Sequence, residues 1–444
     1  MKRILIGGTH SGCGKTTVTC AVLKALFDRK MRVSAFKCGP DYIDPMFHKK
    51  AIGVASHNLD SYFCDDNTLK FLLNEYALDV SVIEGVMGYY DGVMNGKGSA
   101  HSIAKITETP SVLVINCRGM SGSVGAVASG FLNYRENNIK GIIFNELPER
   151  LEALARTVCG ELGTEYLGRF PKCDFSINSR HLGLVTPDGL SDIRGKLDRL
   201  GETAERYLDI DRILEISECS ELSFEPLKFP KFGFSEPPVI AVAEDGAFCF
   251  QYAENLDLLQ KLGCEIVRFS PLEDEKVPEC DGLILCGGYP ELYAKRLFAN
   301  EKMLGSVRKI IQSGAPVIAE CGGFMYLHER FADDLENEYS GVGAIPGRAF
   351  KTDKLQKFGY AEKTSDRKNL LCGKGEKIRV HEFHYWNSSN NGTDLLARKS
   401  DGREWNCGHC SDSLYAGFPH LYFYSDINSA ENFVKKAAEF GSKL

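Results

Sequence analysis

The chain is predicted to be an α/β protein in two domains, the first a P-loop-type fold on a mainly parallel sheet. Three features of the sequence predict this. Lys2 to Gly8 is a short apolar strand that runs into a glycine-rich loop and then into a helix-like run, Val18 to Phe27. Further apolar strands recur at 32–37, 79–83, 111–116 and 139–145, with the small-residue helix Ser123 to Leu132 among them, the alternation of a sheet covered on both faces. From about Asp188 to Lys231 that alternation gives way first to helix-like acidic and basic residues and then to proline and charge, and near Pro237 it starts again. The expected division is 1–190 for the first domain, 191–236 for a linker, 237–430 for the second domain and 431–444 for a C-terminal tail.

Composition narrows the function. A chain of 444 residues with 43% apolar content can bury two cores. Its net charge of −7, with Lys and Arg spread rather than clustered, argues against nucleic acid as a partner. No apolar run reaches the roughly 20 residues that span a membrane. The start Met1-Lys-Arg-Ile-Leu-Ile leads straight into a strand rather than a signal peptide, so a cytoplasmic location is expected. Sixteen cysteines at irregular intervals then read as free thiols. Cys407-Gly-His-Cys410 has metal-ligand spacing, but no second such pair exists, although Cys372, His381 and His384 could add ligands.

The first domain carries a nucleotide site. Gly8-Thr-His-Ser-Gly-Cys-Gly-Lys-Thr-Thr17 joins strand to helix. Backbone N–H groups around Gly12 and Gly14 and at the helix start, with Thr17, surround phosphates; Lys15 reaches their outer oxygens, and the Thr16 hydroxyl can bind Mg²⁺. The strict P-loop pattern wants glycine at position 9, where Thr9 stands; the one-residue-longer loop is the form seen in dethiobiotin synthetase and its relatives. The next strand ends in Lys37-Cys-Gly-Pro-Asp-Tyr-Ile-Asp-Pro45, which sets Asp41 and Asp44 where ligands gather in open sheets, although Gly-Pro-Asp is also ordinary turn chemistry. A third strand delivers Glu84-Gly-Val-Met-Gly-Tyr-Tyr-Asp-Gly92, and Glu84, ahead of Asp91, is placed to complete a Mg²⁺ shell. Arg180-His-Leu-Gly-Leu184 closes this half, where His181 has no assigned role.

The second domain turns on a cysteine. Its expected strand Val239 to Ala243 and helix Glu254 to Leu262 precede a strand, Gly282 to Leu285, that opens into Cys286-Gly-Gly-Tyr-Pro-Glu-Leu292. The apolar run from Pro316 to Ala319 then breaks at Glu320-Cys321-Gly-Gly323, and a helix-like run resumes at Phe324. A cysteine at a strand-to-helix turn followed by small residues is a nucleophile elbow, with backbone donors near Gly288 and Gly322 for an oxyanion. The competing reading is a buried, inert thiol. The base is sought among His328, His381, His384, His409 and His420; His420 is preferred because an apolar strand ends there. His381 and His384, three apart on a strand, face opposite ways and are expected to shape a binding face.

These motifs, with Ala319-Glu-Cys-Gly-Gly323 and His381-Glu-Phe-His-Tyr385 in the same order, resemble the cobyrinic acid a,c-diamide synthase family along almost the whole chain. The resemblance implies a dethiobiotin-synthetase-like ATPase domain followed by a flavodoxin-like class I glutamine amidotransferase domain. It implies ATP and Mg²⁺ as cofactors, and L-glutamine with cobyrinic acid or a related tetrapyrrole as substrates. By the same resemblance Cys321 is the glutaminase nucleophile and His420 its activator; Gly12, Gly14, Lys15, Thr16 and Thr17 hold the nucleotide; Thr16, Glu84 and Asp41 hold the metal. Asp41, Tyr42, Asp44 and Asp91 then position the tetrapyrrole, whose a and c acetates are amidated through phosphorylated carboxylates. Two departures stand out. Tyr422 sits two places after His420, where the family usually has a second histidine and many class I enzymes a glutamate, so the third triad member is unassigned. Ile43 replaces a leucine.

Rival readings are the same reaction on nickel-sirohydrochlorin or hydrogenobyrinic acid, cobyric acid synthase, and a partitioning-type ATPase switch. The last leaves the second domain without a task. A homodimer is left open.

Overall fold

The structure, a computed structural model, describes residues 1–93, 96–173 and 187–442, with side chains for all of these but 187–192. Arg180, His181 and Leu184 lie outside the described residues. The chain forms two compact units, Met1–Leu227 and Lys228–Leu444.

The first unit is built on a seven-stranded sheet. Its strands are β1 (Lys2–Gly8), β2 (Val33–Cys38), β3 (Ser56–Leu59), β4 (Val80–Glu84), β5 (Ser111–Asn116), β6 (Ile139–Asn145) and β7 (Glu165–Phe170). They lie in the order β3-β2-β4-β1-β5-β6-β7, and every pairing is parallel. Ile4, Leu5, Val82, Ile83, Val112 and Leu113 are fully buried, as strands covered on both faces must be. The register sets Ile6 beside Glu84 and Lys37 beside Glu84, so the carboxyl ends of β1, β2 and β4 meet at one edge. Ligands bind at that edge in open parallel sheets.

Two stretches differ from expectation. The segment 191–236 is not bare linker: it carries most of helix Pro187–Tyr207 and all of Ile210–Ile216. Leu197, Leu200, Ala204 and Leu208 repeat at helical spacing and are buried against Val22, Ala25 and Leu26, which draws the helices into the first core despite their charged outer faces. At the far end, residues expected as a tail belong to helix Ile427–Phe440, which buries Phe433, Val434 and Ala437.

The second unit restarts with β8 (Val239–Ala243), β9 (Glu265–Phe269), β10 (Gly282–Leu285) and β11 (Val317–Glu320). With His409–Cys410 and Leu414–Gly417 these make a six-stranded sheet in the order His409–Cys410, Leu414–Gly417, β11, β10, β8, β9. A five-stranded sheet in the same unit pairs Lys377–His384 antiparallel with His420–Leu421, setting His381 opposite His420. The short strand His420–Leu421 begins three residues after Gly417, the β11 neighbour of Glu320, and this places it near the nucleophile turn.

Candidate functional site

In the first unit the turn after β1 ends at Gly14, whose left-handed backbone (φ 98°) precedes helix α1 (Lys15–Asp28). A side chain there would be strained, and its Cβ would lie 2.2 Å from Asn145 Nδ2. Asn145, at the end of β6, donates to the Cys13 carbonyl (2.9 Å) and pins the loop. The first-turn N–H groups of α1 lack intrahelical acceptors, an arrangement that suits an anion. The Lys15 ammonium reaches the His10 carbonyl at 3.4 Å, and burial pushes its pKa down.

A buried charge cluster adjoins the loop. The Thr16 hydroxyl donates to Glu84 Oε1 (2.6 Å), Lys37 Nζ lies 2.9 Å from the same oxygen, and Lys37 also pairs with Asp44 at 2.6 Å. His48 Nε2 stands 3.4 Å from Glu84 Oε2, while its Nδ1 meets the Ser56 hydroxyl at 3.1 Å. Burial opposes every charge here. For Lys37 the carboxylates of Asp44 and Glu84 outweigh it, and its pKa is raised well above the ordinary value. One ammonium serves two carboxylates, and they divide unequally. Burial and the Glu84 charge push Asp44 up to about 8, whereas Lys37, His48 and Thr16 overcome burial at Glu84 and hold it well below the usual carboxylate range.

The other expected residues lie around this cluster. Asp41 Oδ1 accepts from the Ile43 and Asp44 N–H groups, closing the turn before helix Ile43–Phe47. Asp44 faces Lys37, and Tyr42 precedes that helix. Asp91 Oδ2 accepts from the Gly88 N–H (2.8 Å), in a loop whose Tyr89 N–H donates to the Gly8 carbonyl beside the phosphate loop. Among the described residues no group of three or more His, Cys, Asp or Glu side chains gathers for a metal. The adjoining Thr16 hydroxyl and Glu84 carboxylate are hard oxygen donors, a fit for Mg²⁺ shared with nucleotide phosphates and water. The roles of Lys37 and His48 beside Glu84 depend on the fold, and the place of Lys37 at a carboxyl strand end is the signal the sequence offers.

In the second unit Cys321 follows β11 with φ 48° and ψ −102°, the strained backbone of a nucleophile elbow, and precedes helix Gly322–Tyr326. Gly323 has no room for a side chain, since its Cβ would sit 2.1 Å from the Leu285 carbonyl oxygen. Gly288 N lies 3.1 Å from where a Cβ on Gly322 would stand, so the two backbone segments expected to supply oxyanion donors abut. The buried His420 ring lies against Cys321 and Glu320; burial lowers its pKa, but these two neighbours prevail and raise it to about 10. The Glu320 Oε2 atom lies 3.3 Å from His420 Nδ1.

The remaining histidines are engaged otherwise. His328 meets the Phe324 carbonyl and the Ser388 hydroxyl, and burial lowers it to about 4. His384 stacks on Phe418 (3.9 Å between centroids) and meets the Trp386 carbonyl, while His409 meets the Asn390 carbonyl. His381, opposite His420, is lowered to about 3 by burial and by the His420 charge. Cys407 and Cys410 are buried free thiols, and burial raises Cys410 strongly.

Comparison with known proteins matches both units. Residues 4–181 match the CobQ/CobB/MinD/ParA nucleotide binding domain, and residues 239–427 the CobB/CobQ-like glutamine amidotransferase domain. The chain is 37% identical to the cobyrinate a,c-diamide synthase of Caldanaerobacter subterraneus subsp. tengcongensis, covering 99% of each chain. The chain belongs to the cobyrinate a,c-diamide synthase family. Its likeness to the Listeria innocua member is 38% over 96% of this chain and 97% of the other, and to the Thermoplasma volcanium member 37% over 99% and 98%. As a member of this family it is an ATP-using, glutamine-dependent amidating ligase with a nucleotide-binding and a glutamine amidotransferase domain. Among the described residues no helix is long and apolar enough to cross a membrane.

Proposed function

We propose that the protein amidates the a and c acetate side chains of cobyrinic acid in cobalamin biosynthesis, with nitrogen from glutamine and activation by ATP. The observation that carries this reading is that Cys321, at an elbow, and the His420 imidazole come together around Gly287, in a chain that also holds a phosphate loop. The Cys321 sulfur attacks the side-chain amide carbon of glutamine, with Gly288 and Gly322 N–H groups facing the oxygen that becomes negative. His420 gives its proton to the departing nitrogen, the C–N bond breaks, and ammonia leaves. Water then cleaves the thioester to release glutamate and restore the thiol.

A carboxylate does not react with ammonia until one oxygen becomes a good leaving group. In the first unit the γ-phosphoryl group of ATP passes to an acetate oxygen, giving ADP and an acyl phosphate; ammonia displaces phosphate to leave the amide. Lys15 and the α1 N-terminus hold the transferring phosphates, and Lys37 stands at the same strand edge with its charge maintained by Asp44 and Glu84. Mg²⁺, held by Thr16 and Glu84 with Asp41 nearby, would neutralise phosphate charge there. Asp41, Tyr42 and Asp91 are the candidate substrate contacts, with Asp44 acting through Lys37. The deciding experiment is a mass spectrum of product after incubation with ATP, glutamine and each candidate tetrapyrrole, counting amides added. Two amides on cobyrinic acid support the reading; amides on nickel-sirohydrochlorin alone replace the substrate, and none on any tetrapyrrole rejects it.

A further inference from the structure

We propose that Glu320, the last residue of β11, is the positioning carboxylate of the Cys321–His420 pair. It would take, from inside the nucleophile strand, the part that many class I amidotransferases give to a glutamate two places after the histidine. The inference rests on Cys321 being the glutaminase nucleophile.

Position 422 supplies no acid: Tyr422 is buried edge-on against Tyr252, with 4.8 Å between ring centroids. Glu320 and Cys321 are neighbours in sequence, and in an ordinary strand their side chains would point to opposite faces. The positive φ of Cys321 breaks that alternation, so both meet the same imidazole. Glu320 Oε2 is 3.3 Å from His420 Nδ1, and Oε1 accepts the Leu421 N–H at 3.0 Å. One carboxylate therefore holds the backbone of the strand that carries the ring and stands in ion-pair range of the ring itself. Glu320 is only 8% exposed, which limits competition from water. A carboxylate on Nδ1–H fixes the tautomer that leaves Nε2 for the sulfur, and it stabilises the imidazolium that forms when the thiol gives up its proton.

The surroundings leave Glu320 that role. His381 faces His420 from the paired strand but is driven neutral by burial. Cys286 and Tyr415, which lie near Glu320, are both raised well above their ordinary values by burial and stay protonated. Gly287 leaves the space: a Cβ there would stand 2.5 Å from His420 Cε1 and 3.4 Å from Cys321 Cβ.

The test compares wild type, Glu320→Gln and Glu320→Asp as full chains. Glutamine hydrolysis, ammonia-driven product formation, and the pH dependence of Cys321 labelling by a diazoketone analogue of glutamine are measured, the last by mass spectrometry. In Glu320→Gln, kcat for glutamine should fall about 100- to 10,000-fold with KM nearly unchanged, the range for losing an orienting carboxylate. The labelling midpoint should move up by about one pH unit or more, because a weaker imidazolium stabilises the thiolate less. Ammonia-driven amidation should persist, and Glu320→Asp should recover part of the rate and return the midpoint toward wild type. An unmoved midpoint overturns the proposal, whether the rate is kept or falls equally at every pH, the latter marking a mere prop for Leu421. Equal loss with glutamine and ammonia overturns it too. If Glu320→Gln does not fold, the midpoint of Glu320→Asp decides by the same criterion. A wild-type chain that hydrolyses no glutamine would instead sink the glutaminase reading itself.

Discussion

The Thr16 hydroxyl donates to Glu84 Oε1 at 2.6 Å, joining the first turn after the glycine loop to the tip of a strand 68 positions later. Lys37 completes the junction by contacting Glu84 and Asp44 together. Removing a partner from a buried ionic group leaves an uncompensated charge, commonly at about 3–5 kcal/mol. Lys37→Met should therefore destabilise the protein by that order in urea unfolding at pH 7. Asp44, already pushed up to about 8, largely holds its proton at pH 7, so the stranded charge is that of Glu84. Glu84 can take up a proton once its cation is gone, so the deficit should shrink as pH falls toward 5; a deficit that grows with acid contradicts the cluster described here.

Separating the two chemistries is the next expectation. Cys321→Ala should lose glutamine-driven amidation while ammonium salts still support product, and Lys15→Ala should keep some glutaminase activity but form no ATP-dependent product. Both are read by amide counting in the mass spectrum together with glutamate release. Loss of both activities in a folded Cys321→Ala variant rejects the division.

His420 links activity to stability. Its pKa is raised from 6.5 to about 10 in the fold, so the folded chain holds this proton more tightly than the unfolded one. The stabilisation is fully present below pH 6.5 and is lost as pH rises through about 10. The stability lead of wild type over His420→Asn should accordingly narrow between pH 6.5 and 10, measured by urea unfolding at several pH values. A lead that stays constant would mean a neutral His420 in the resting fold.

The elbow has no slack at Gly323, where an added Cβ meets the backbone of Leu285 rather than a movable side chain. Gly323→Ala should push helix Gly322–Tyr326 off β10 and shift Cys321 against His420. Misplacements of about 1 Å can cost about 100-fold in rate. Glutamine hydrolysis should drop by at least that factor, with ammonia-driven amidation much less affected, in paired steady-state assays.

Much of this was legible in the chain because it is local. The apolar strand before Gly8, the glycines after it and the helix beyond are consecutive residues, and their spacing alone constrains the backbone. The same holds for Val317 to Gly323, where an apolar run meets two glycines. Ser56–Leu59 is not legible as a strand because Ser-His-Asn-Leu lacks an apolar run; its pairing with β2 at the sheet edge makes it one. Helix Pro187–Tyr207 reads as linker in the sequence because its charged face dominates the composition, and its buried stripe has meaning only against α1.

Connections across distance needed the folded chain. Residue types and short-range spacing suffice for a phosphate loop and for an elbow, since each is a property of adjoining dihedrals and small side chains. That Glu84 rather than Asp91 meets Thr16, that Lys37 is shared between two carboxylates, and that Glu320 reaches the imidazole of His420 depend on sheet order and strand register. Those pairings arise when burial brings the ends of separate strands together, and no run of neighbouring letters encodes a distance between them.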